Sequence, residues 1–259
     1  MEKINKSELD KLVKKFETPD FIKDDPVQFP HMYEKKQDIE ISGFISSAFA
    51  YGNRKKIIEN LGCIHKLLNK NPHEFVLNFD IDRDRVFFRG FCYRFTGERD
   101  ILCLIYSLSR LLRKYDSLED AFLQGFSKED RDIKNGLVNF VNLLRSNIPC
   151  GETCSQSFSH LVPSPANGSA CKRLNLFLKW MVRHGPVDLN VWKGIPANKL
   201  IIPLDVHVSR VSVLLGLTER KSNDWKKAEE ITEKLKQFDA DDPVKYDFAI
   251  FGAGIEKLY

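Results

Sequence analysis

The sequence predicts an all-α protein, and three observations carry that reading. Apolar residues recur at i, i+3, i+4 and i+7 through most of the chain, the period of a helix with one buried face. Cap residues and Gly or Pro breaks punctuate those stretches where helices should start and stop. Only residues 79–95 depart clearly from the period, and the chain holds no repeat and no low-complexity tract.

Taken in order, Ser7, Glu8, Leu9 and Asp10 read as a capped start for a first helix with Leu9, Leu12, Val13 and Phe16 on one face. Residues 18–38, richer in Pro and Asp, read as a loop. Ile41, Phe44, Ile45, Ala48 and Phe49 form the next face, broken at Tyr51, Gly52, Asn53 and Arg54, and Ile57, Ile58, Leu61, His65 and Leu68 begin another helix. Residues 79–95 read as a loop around Gly90. Ile101, Leu104, Ile105, Leu108, Leu111 and Leu112 make a strong helix; Ser117 reads as the N-cap of the one after it. Ile133, Leu137, Phe140, Val141 and Leu144 mark a further one. After residues 148–169, Leu174, Phe177, Leu178, Met181 and Val182 line a helix that Gly185 and Pro186 terminate. A linker with Gly194, Pro196 and Pro203 leads to Val208, Val211, Leu214 and Leu215. Two last helices centre on Ile231 and Phe248.

Composition narrows the class without choosing a function. With 42% hydrophobic and 29% charged residues in 259, the chain resembles an ordinary soluble globular protein. A net charge of +4, from 40 basic and 36 acidic residues, favours no partner class by itself; a local basic face matters more. No apolar run reaches membrane-spanning length, and the N-terminal MEKINKSELDKLVKKF is charged throughout, unlike a secretory signal. The expectation is a cytoplasmic monomer, nucleoid-associated if prokaryotic, with no membrane partner. Six irregularly spaced cysteines read as free thiols.

Two positions invite chemistry. Lys172 follows Gly168, Ser169 and Ala170, small residues that let a backbone turn tightly and present N–H groups to a phosphate oxygen. A lysine at a helix start feels the positive end of the dipole, which favours the neutral amine that a nucleophile requires. The competing reading leaves Lys172 solvated on a polar face with Asn175 and Lys179. Asp205, just ahead of an apolar helical pattern, reads as an N-cap; a cap carboxylate facing a cleft also steadies a developing cation or takes a proton. Spacing alone does not choose.

These residues carry a resemblance. Asn167 to Leu176 (NGSACKRLNL) is similar to the hairpin pattern Leu-Pro-Gly-x-Gly-x-Lys-Thr-Ala-Asn of the helix-hairpin-helix DNA glycosylases, the HhH-GPD superfamily, with Gly168, Lys172 and Asn175 matching and Ala170 in place of the second glycine. Leu204 to Val211 (LDVHVSRV) is similar to the family's Val-Asp-Thr-His-x-x-Arg-Val. Fainter likenesses, at Ser47 to Ala50, Gly90 to Tyr93 and Phe248 to Gly254, extend it over most of residues 38–254. The resemblance implies a two-lobed HhH-GPD-like fold with a cleft between lobes: a helical core domain over 38–185 that holds the hairpin, and a second lobe of 1–37 and 186–259 that carries the aspartate. It implies a bifunctional DNA glycosylase and AP lyase acting on double-stranded DNA with a damaged base. Lys172 would attack the sugar C1′ and Asp205 would assist. Gly168, Ser169, Ala170, Arg173, His207 and Arg54 are the expected DNA contacts.

Three departures qualify the match. Lys172 and Asp205 lie 33 positions apart, longer than in the endonuclease III branch and similar to the archaeal 8-oxoguanine glycosylase branch, which points to 8-oxoguanine as the lesion. The four-cysteine iron–sulfur loop of endonuclease III relatives has no counterpart, so neither cofactor nor metal is expected. Phe49 stands where those relatives place a stack-filling glutamine. Tyr51 and Asn53, with Arg54, are candidates to wedge beside the lesion, or an ordinary helix-turn. Trp192 is a candidate to stack on the flipped base, or core; Trp180 reads as core. Cys150, Cys154, His160 and Cys171 lack paired zinc spacing. The arginines at 83, 85, 89, 94 and 99 form a basic, aromatic-rich run that reads as a phosphate contact or a solvated face. Two other classes compete: a non-catalytic helix-hairpin-helix DNA binder, and a helical protein-interaction domain indifferent to nucleic acid.

Overall fold

The computed structural model describes residues 4–149 and 156–258. They are mostly helical, as the period predicts, and gather into two compact units. The first comprises Asp25–Ser127 and Asn135–Pro163; the second comprises Met1–Asp24, Lys128–Lys134 and Ser164–Tyr259. This division differs from the expected one: residues 25–37 fall with the unit expected to begin at 38, and residues 128–134 and 164–185 fall with the C-terminal part. The hairpin helix Lys172–Val182 finds its partners there: Lys179 pairs with Asp247 at 2.8 Å, Arg183 with Asp242 at 2.8 Å, and Phe177 meets Trp192 edge-on at 5.3 Å.

In the first unit the helix Lys36–Ala48 is buried from Asp38 to Ala48. A helix surrounded on all sides tolerates polar residues only where each has a partner. The Glu40 carboxylate accepts the amides of Leu118 (3.1 Å) and Glu119 (3.3 Å) at the start of Leu118–Leu123, where the helix dipole favours an anion. Asp38 accepts the His73 amide at 2.9 Å, and Ser42 Oγ meets His65 Nε2 at 2.9 Å. The amphipathic helix Glu98–Leu112 buries the apolar face read from the sequence, and Ser117 caps Leu118–Leu123 as expected by accepting the Asp120 amide at 3.0 Å.

The loop expected over 79–95 is more ordered than its pattern suggests. It holds the short helix Ile81–Asp84, a 3-10 turn Arg85–Phe88, and the strand Cys92–Tyr93, which pairs antiparallel with Thr96–Gly97. Left-handed residues at Gly90 (φ +73) and Arg94 (φ +56) make the reversals. Segments this short cannot display a period.

In the second unit, Lys6–Phe16 packs against Tyr246–Ile255. Gly252 is required at that crossing: a Cβ there would lie 2.3 Å from the Phe16 ring. The cap of the first helix sits earlier than the Ser7 reading. Asn5 accepts the Glu8 amide and Glu8 returns the bond to the Asn5 amide, both at 3.1 Å. Behind Tyr246–Ile255 lies a buried ion cluster. Arg183 binds Asp242, Glu17 and Asp188, while the Lys179 ammonium pairs with Asp247 and sits 3.4 Å from the centre of the Phe248 ring. Among the described residues no helix is long and apolar enough to cross a membrane.

Candidate active site

The hairpin opens with Pro165–Asn167, a 3-10 turn capped by Ser164, and turns at Gly168, whose φ of +77 lies in the left-handed region. Cys171 takes a second left-handed conformation (φ +48) at the position preceding Lys172–Val182. Ala170 is not among the positive-φ residues, so its Cβ brings no backbone strain and its departure from the second family glycine leaves the turn intact. The hairpin is clamped from outside. The Trp225 amide donates to the Gly168 carbonyl at 3.0 Å, and Ser169 pairs antiparallel with Asp224. From inside, Asn175 Nδ2 donates to the Ala170 carbonyl at 3.0 Å.

Lys172 is the first residue of its helix and is half-buried. The solvated polar face proposed for it is overturned: Asn175 is 1% exposed and Lys179 is 2% exposed, each committed to a buried bond. Arg173 is also buried, which removes it from the surface where a phosphate contact would be expected.

Asp205 is the N-cap of Val206–Leu214, as the sequence indicated. Its Oδ1 accepts the Val208 amide at 2.8 Å, and its other oxygen makes no hydrogen bond among the described residues. One oxygen is thus held by the backbone while the second is left for other work. His207, half-buried, turns edge-on to Phe251 at 5.8 Å and rests on Gly254, where an added Cβ would come within 2.9 Å of it.

The chain between the lysine helix and Asp205 folds back on that helix. The Leu189 amide donates to the Trp180 carbonyl at 2.7 Å and the Trp192 amide to the Met181 carbonyl at 2.8 Å. Trp192 is 1% exposed, so it is a core residue and not a platform for a base; Trp180 is core, as expected. Farther on, the Ile202 amide donates to Thr232 Oγ1 at 3.1 Å, which ties the approach to Asp205 onto Trp225–Lys236. Lys172, Asp205, Gly168, Ser169, Ala170 and His207 therefore share one unit, each positioned by a helix start or by the turn before it.

A family model described as "Protein of unknown function (DUF2400)" matches residues 25–256. The chain belongs to the DUF2400 family. No curated protein and no solved structure matches it.

The remaining candidates of this DUF2400 chain, Tyr51, Asn53 and Arg54, lie in the other unit. Asn53 and Arg54 are exposed at the start of Arg54–Leu68, with Asn53 as the cap. Tyr51 is fixed among aromatics. Its hydroxyl bonds Thr96 Oγ1 at 2.7 Å, its ring stacks on Phe95 at 5.2 Å with 21° between planes, and the Tyr93 hydroxyl donates to the Tyr51 carbonyl at 2.6 Å. Gly52 (φ +102) lies against the Arg94 side chain. Phe95 is 47% exposed on the far side of that stack. Two turns distant in sequence thus form one partly aromatic cluster; Arg94, named in the sequence as part of an arginine run, belongs to it, and so does Phe95, which sequence reading did not single out.

Other sequence candidates resolve into structural roles in this DUF2400 chain. Phe49 is fully buried, edge-on to Phe91 and Tyr93. Arg83 is bound to Asp84, whereas Arg85, Arg89 and Arg94 are exposed and make no ion pair among the described residues. The Ser42–His65 pair resembles a nucleophile and base, but both are buried; His65 stacks on Phe29, and burial pushes its pKa down to about 4. Cys150 and Cys154 lie outside the described residues. Among the described residues no group of three or more His, Cys, Asp or Glu side chains is arranged to hold a metal ion.

Proposed function

We propose that this chain is a base-excision DNA glycosylase with AP lyase activity, built on a helix-hairpin-helix glycosylase fold and acting on duplex DNA that carries an oxidised purine, 8-oxoguanine by branch resemblance. One observation carries the reading. The segment that resembles the family hairpin turns at a left-handed glycine, is clamped by backbone pairing with residues 224–225, and opens a helix at Lys172 in the same unit that holds Asp205 as a cap. The tolerance of the turn for Ala170 removes one argument for a binder that lost catalysis.

In this reading the target nucleotide leaves the stack, and the Lys172 amine attacks C1′ of its sugar. The C1′–N bond breaks and its electron pair leaves with the base, which takes up a proton. The unbonded oxygen of Asp205 stabilises the positive charge that grows on the sugar and accepts a proton from the attacking amine. Opening of the sugar ring yields an imine between Lys172 and C1′. Loss of a C2′ proton then expels the 3′ phosphate by β-elimination, and water releases the lysine.

Borohydride reduces such an imine to a stable amine. The expected result is a covalent adduct between the protein and an 8-oxoguanine duplex, present in the wild type and lost in Lys172→Gln. An adduct that survives the substitution removes Lys172 from its role. Duplex binding that weakens steeply with salt but forms no adduct would leave a non-catalytic binder, and absence of duplex affinity would leave a protein-interaction domain.

A further inference from the structure

Lys227 is a buried lysine with no ion-pair partner among the described residues. It is 2% exposed and stands in the first turn of Trp225–Lys236. Its Nζ donates to Ser209 Oγ at 2.7 Å and to Asn223 Oδ1 at 3.3 Å, and Ser209 Oγ donates to Asn223 Oδ1 at 2.6 Å. The nearest carboxylate in its own turn is engaged elsewhere: Asp224 accepts the Lys227 backbone amide at 2.9 Å and the Arg220 guanidinium at 2.7 Å. Burial pushes the Lys227 pKa down. The Asp224 and Glu230 charges favour the ammonium from a distance, but its hydrogen bonds go only to neutral acceptors, a costly choice for stability because an apolar side chain of the same length fills the space without the desolvation penalty.

Its neighbours suggest what offsets that cost. Ser209 lies one helical turn beyond Asp205, whose backbone carbonyl accepts the Ser209 amide at 2.8 Å. Asn223 begins the short segment that clamps the hairpin through Asp224 and Trp225. The helix capped by Asp205 and the clamp on the Lys172 hairpin are therefore bonded to one another at the Lys227 ammonium.

We propose that Lys227 is a positioning residue for the reaction of Lys172 and Asp205: by bonding both members of the Ser209–Asn223 hydrogen bond it fixes that junction, and with it where the Asp205 carboxylate stands relative to the Lys172 amine. The inference rests on the glycosylase reading above. Misplacement of a reacting group by about 1 Å costs on the order of a hundredfold in rate, so a tether of this kind acts on turnover and leaves affinity alone.

The test compares full-length wild type with Lys227→Met, Lys227→Arg and Ser209→Ala. It measures single-turnover borohydride trapping at saturating 8-oxoguanine duplex, duplex Kd and the thermal midpoint. For Lys227→Met the expected result is an unchanged or higher midpoint, a Kd within about threefold, and a trapping rate lower by about a hundredfold. Lys227→Arg, which keeps the donors, should recover part of that rate. A role confined to stability would instead lower the midpoint and leave the saturated rate of the folded fraction unaltered. A folded Lys227→Met that traps at the wild-type rate overturns the inference while the glycosylase reading stands. If Lys227→Met does not fold, Ser209→Ala decides, with a loss of about tenfold expected and an unchanged rate fatal. A wild type that gives no adduct fails the glycosylase reading itself and takes this inference with it.

Discussion

The Trp225 amide donates to the carbonyl of Gly168 at 3.0 Å, so the turn before Lys172 is secured by a helix that begins far downstream. The turn also depends on Gly168 adopting φ +77, a region closed to most side chains. No atom lies within 4 Å of where a Cβ would stand, so Gly168→Ala meets backbone strain alone. The expected result is a loss of about 1 kcal/mol in stability, read by denaturant unfolding, together with weaker duplex binding. Unchanged stability would show that the turn relaxes freely and that the clamp does not hold it.

Asp205 combines a cap with a carboxylate oxygen that makes no hydrogen bond among the described residues, and two substitutions separate those roles. Asn also accepts the Val208 amide, so Asp205→Asn should keep its stability and duplex affinity while turnover falls by a factor on the order of a hundred or more. Asp205→Ala should in addition lose about 1 kcal/mol of stability with the cap. Near-normal strand cleavage by Asp205→Asn would return the residue to capping alone.

Phe95, stacked on Tyr51 and met edge-on by His160 at 4.4 Å, stays half-exposed next to the exposed Arg94 in a unit whose Asn53 and Arg54 are exposed too. A half-exposed ring contributes little to the fold but can stack on a base, worth about 1–3 kcal/mol in nucleic-acid complexes. Phe95→Ala is therefore expected to leave the thermal midpoint nearly unchanged and to weaken binding to a lesion duplex by at least fivefold at fixed salt. Arg54→Ala should lower the slope of log Kd against log salt by about one phosphate contact. If both variants bind as the wild type does, neither residue takes part in DNA recognition.

What the sequence revealed and what it hid have physical causes. The apolar faces of Glu98–Leu112 and Lys172–Val182 were legible because their Leu, Ile, Phe, Met and Val residues recur at helical spacing, although burial extends beyond those faces to Arg173, Asn175 and Lys179; Ser117 and Asp205 were legible as caps because capping is a local contact. Lys36–Ala48 begins earlier than its apolar pattern because Asp38, Glu40 and Ser42 are buried against His73, Leu118 and His65, partners that no window of sequence contains. For the same reason Lys227 was not singled out from the sequence. The Tyr51 pairing with Phe95 depends on a two-residue ladder too short to leave a period. Trp192 illustrates the converse: a loop position suggested exposure, but the loop folds onto the helix before it and buries the ring.

Acid should act on the two units in opposite directions. His65 is buried as the neutral imidazole between Ser42 and the Leu61 carbonyl, and burial lowers its pKa from 6.5 to about 4. Between those values the unfolded chain binds a proton that the folded chain refuses. The stability that His65 provides is present above pH 6.5 and is lost as pH falls, on the order of 3 kcal/mol by pH 4. Asp188 has the reverse sign. It shares a cluster in which two cations, Lys179 and Arg183, face four carboxylates, and burial raises its pKa from 3.8 to about 6. The folded state takes up that proton first, so its contribution to stability grows as pH drops from above 6 to below 3.8 and disappears as pH rises through 6. Amide exchange at pH 7 and pH 5, corrected for the intrinsic rate, should show Arg54–Leu68 losing protection while Lys172–Val182 holds or gains it. His65→Gln should flatten the loss in the first segment, and Asp188→Asn should flatten the gain in the second. An unaltered acid response in His65→Gln would mean that other groups govern the loss and that the Ser42–His65 contact does not report on protonation.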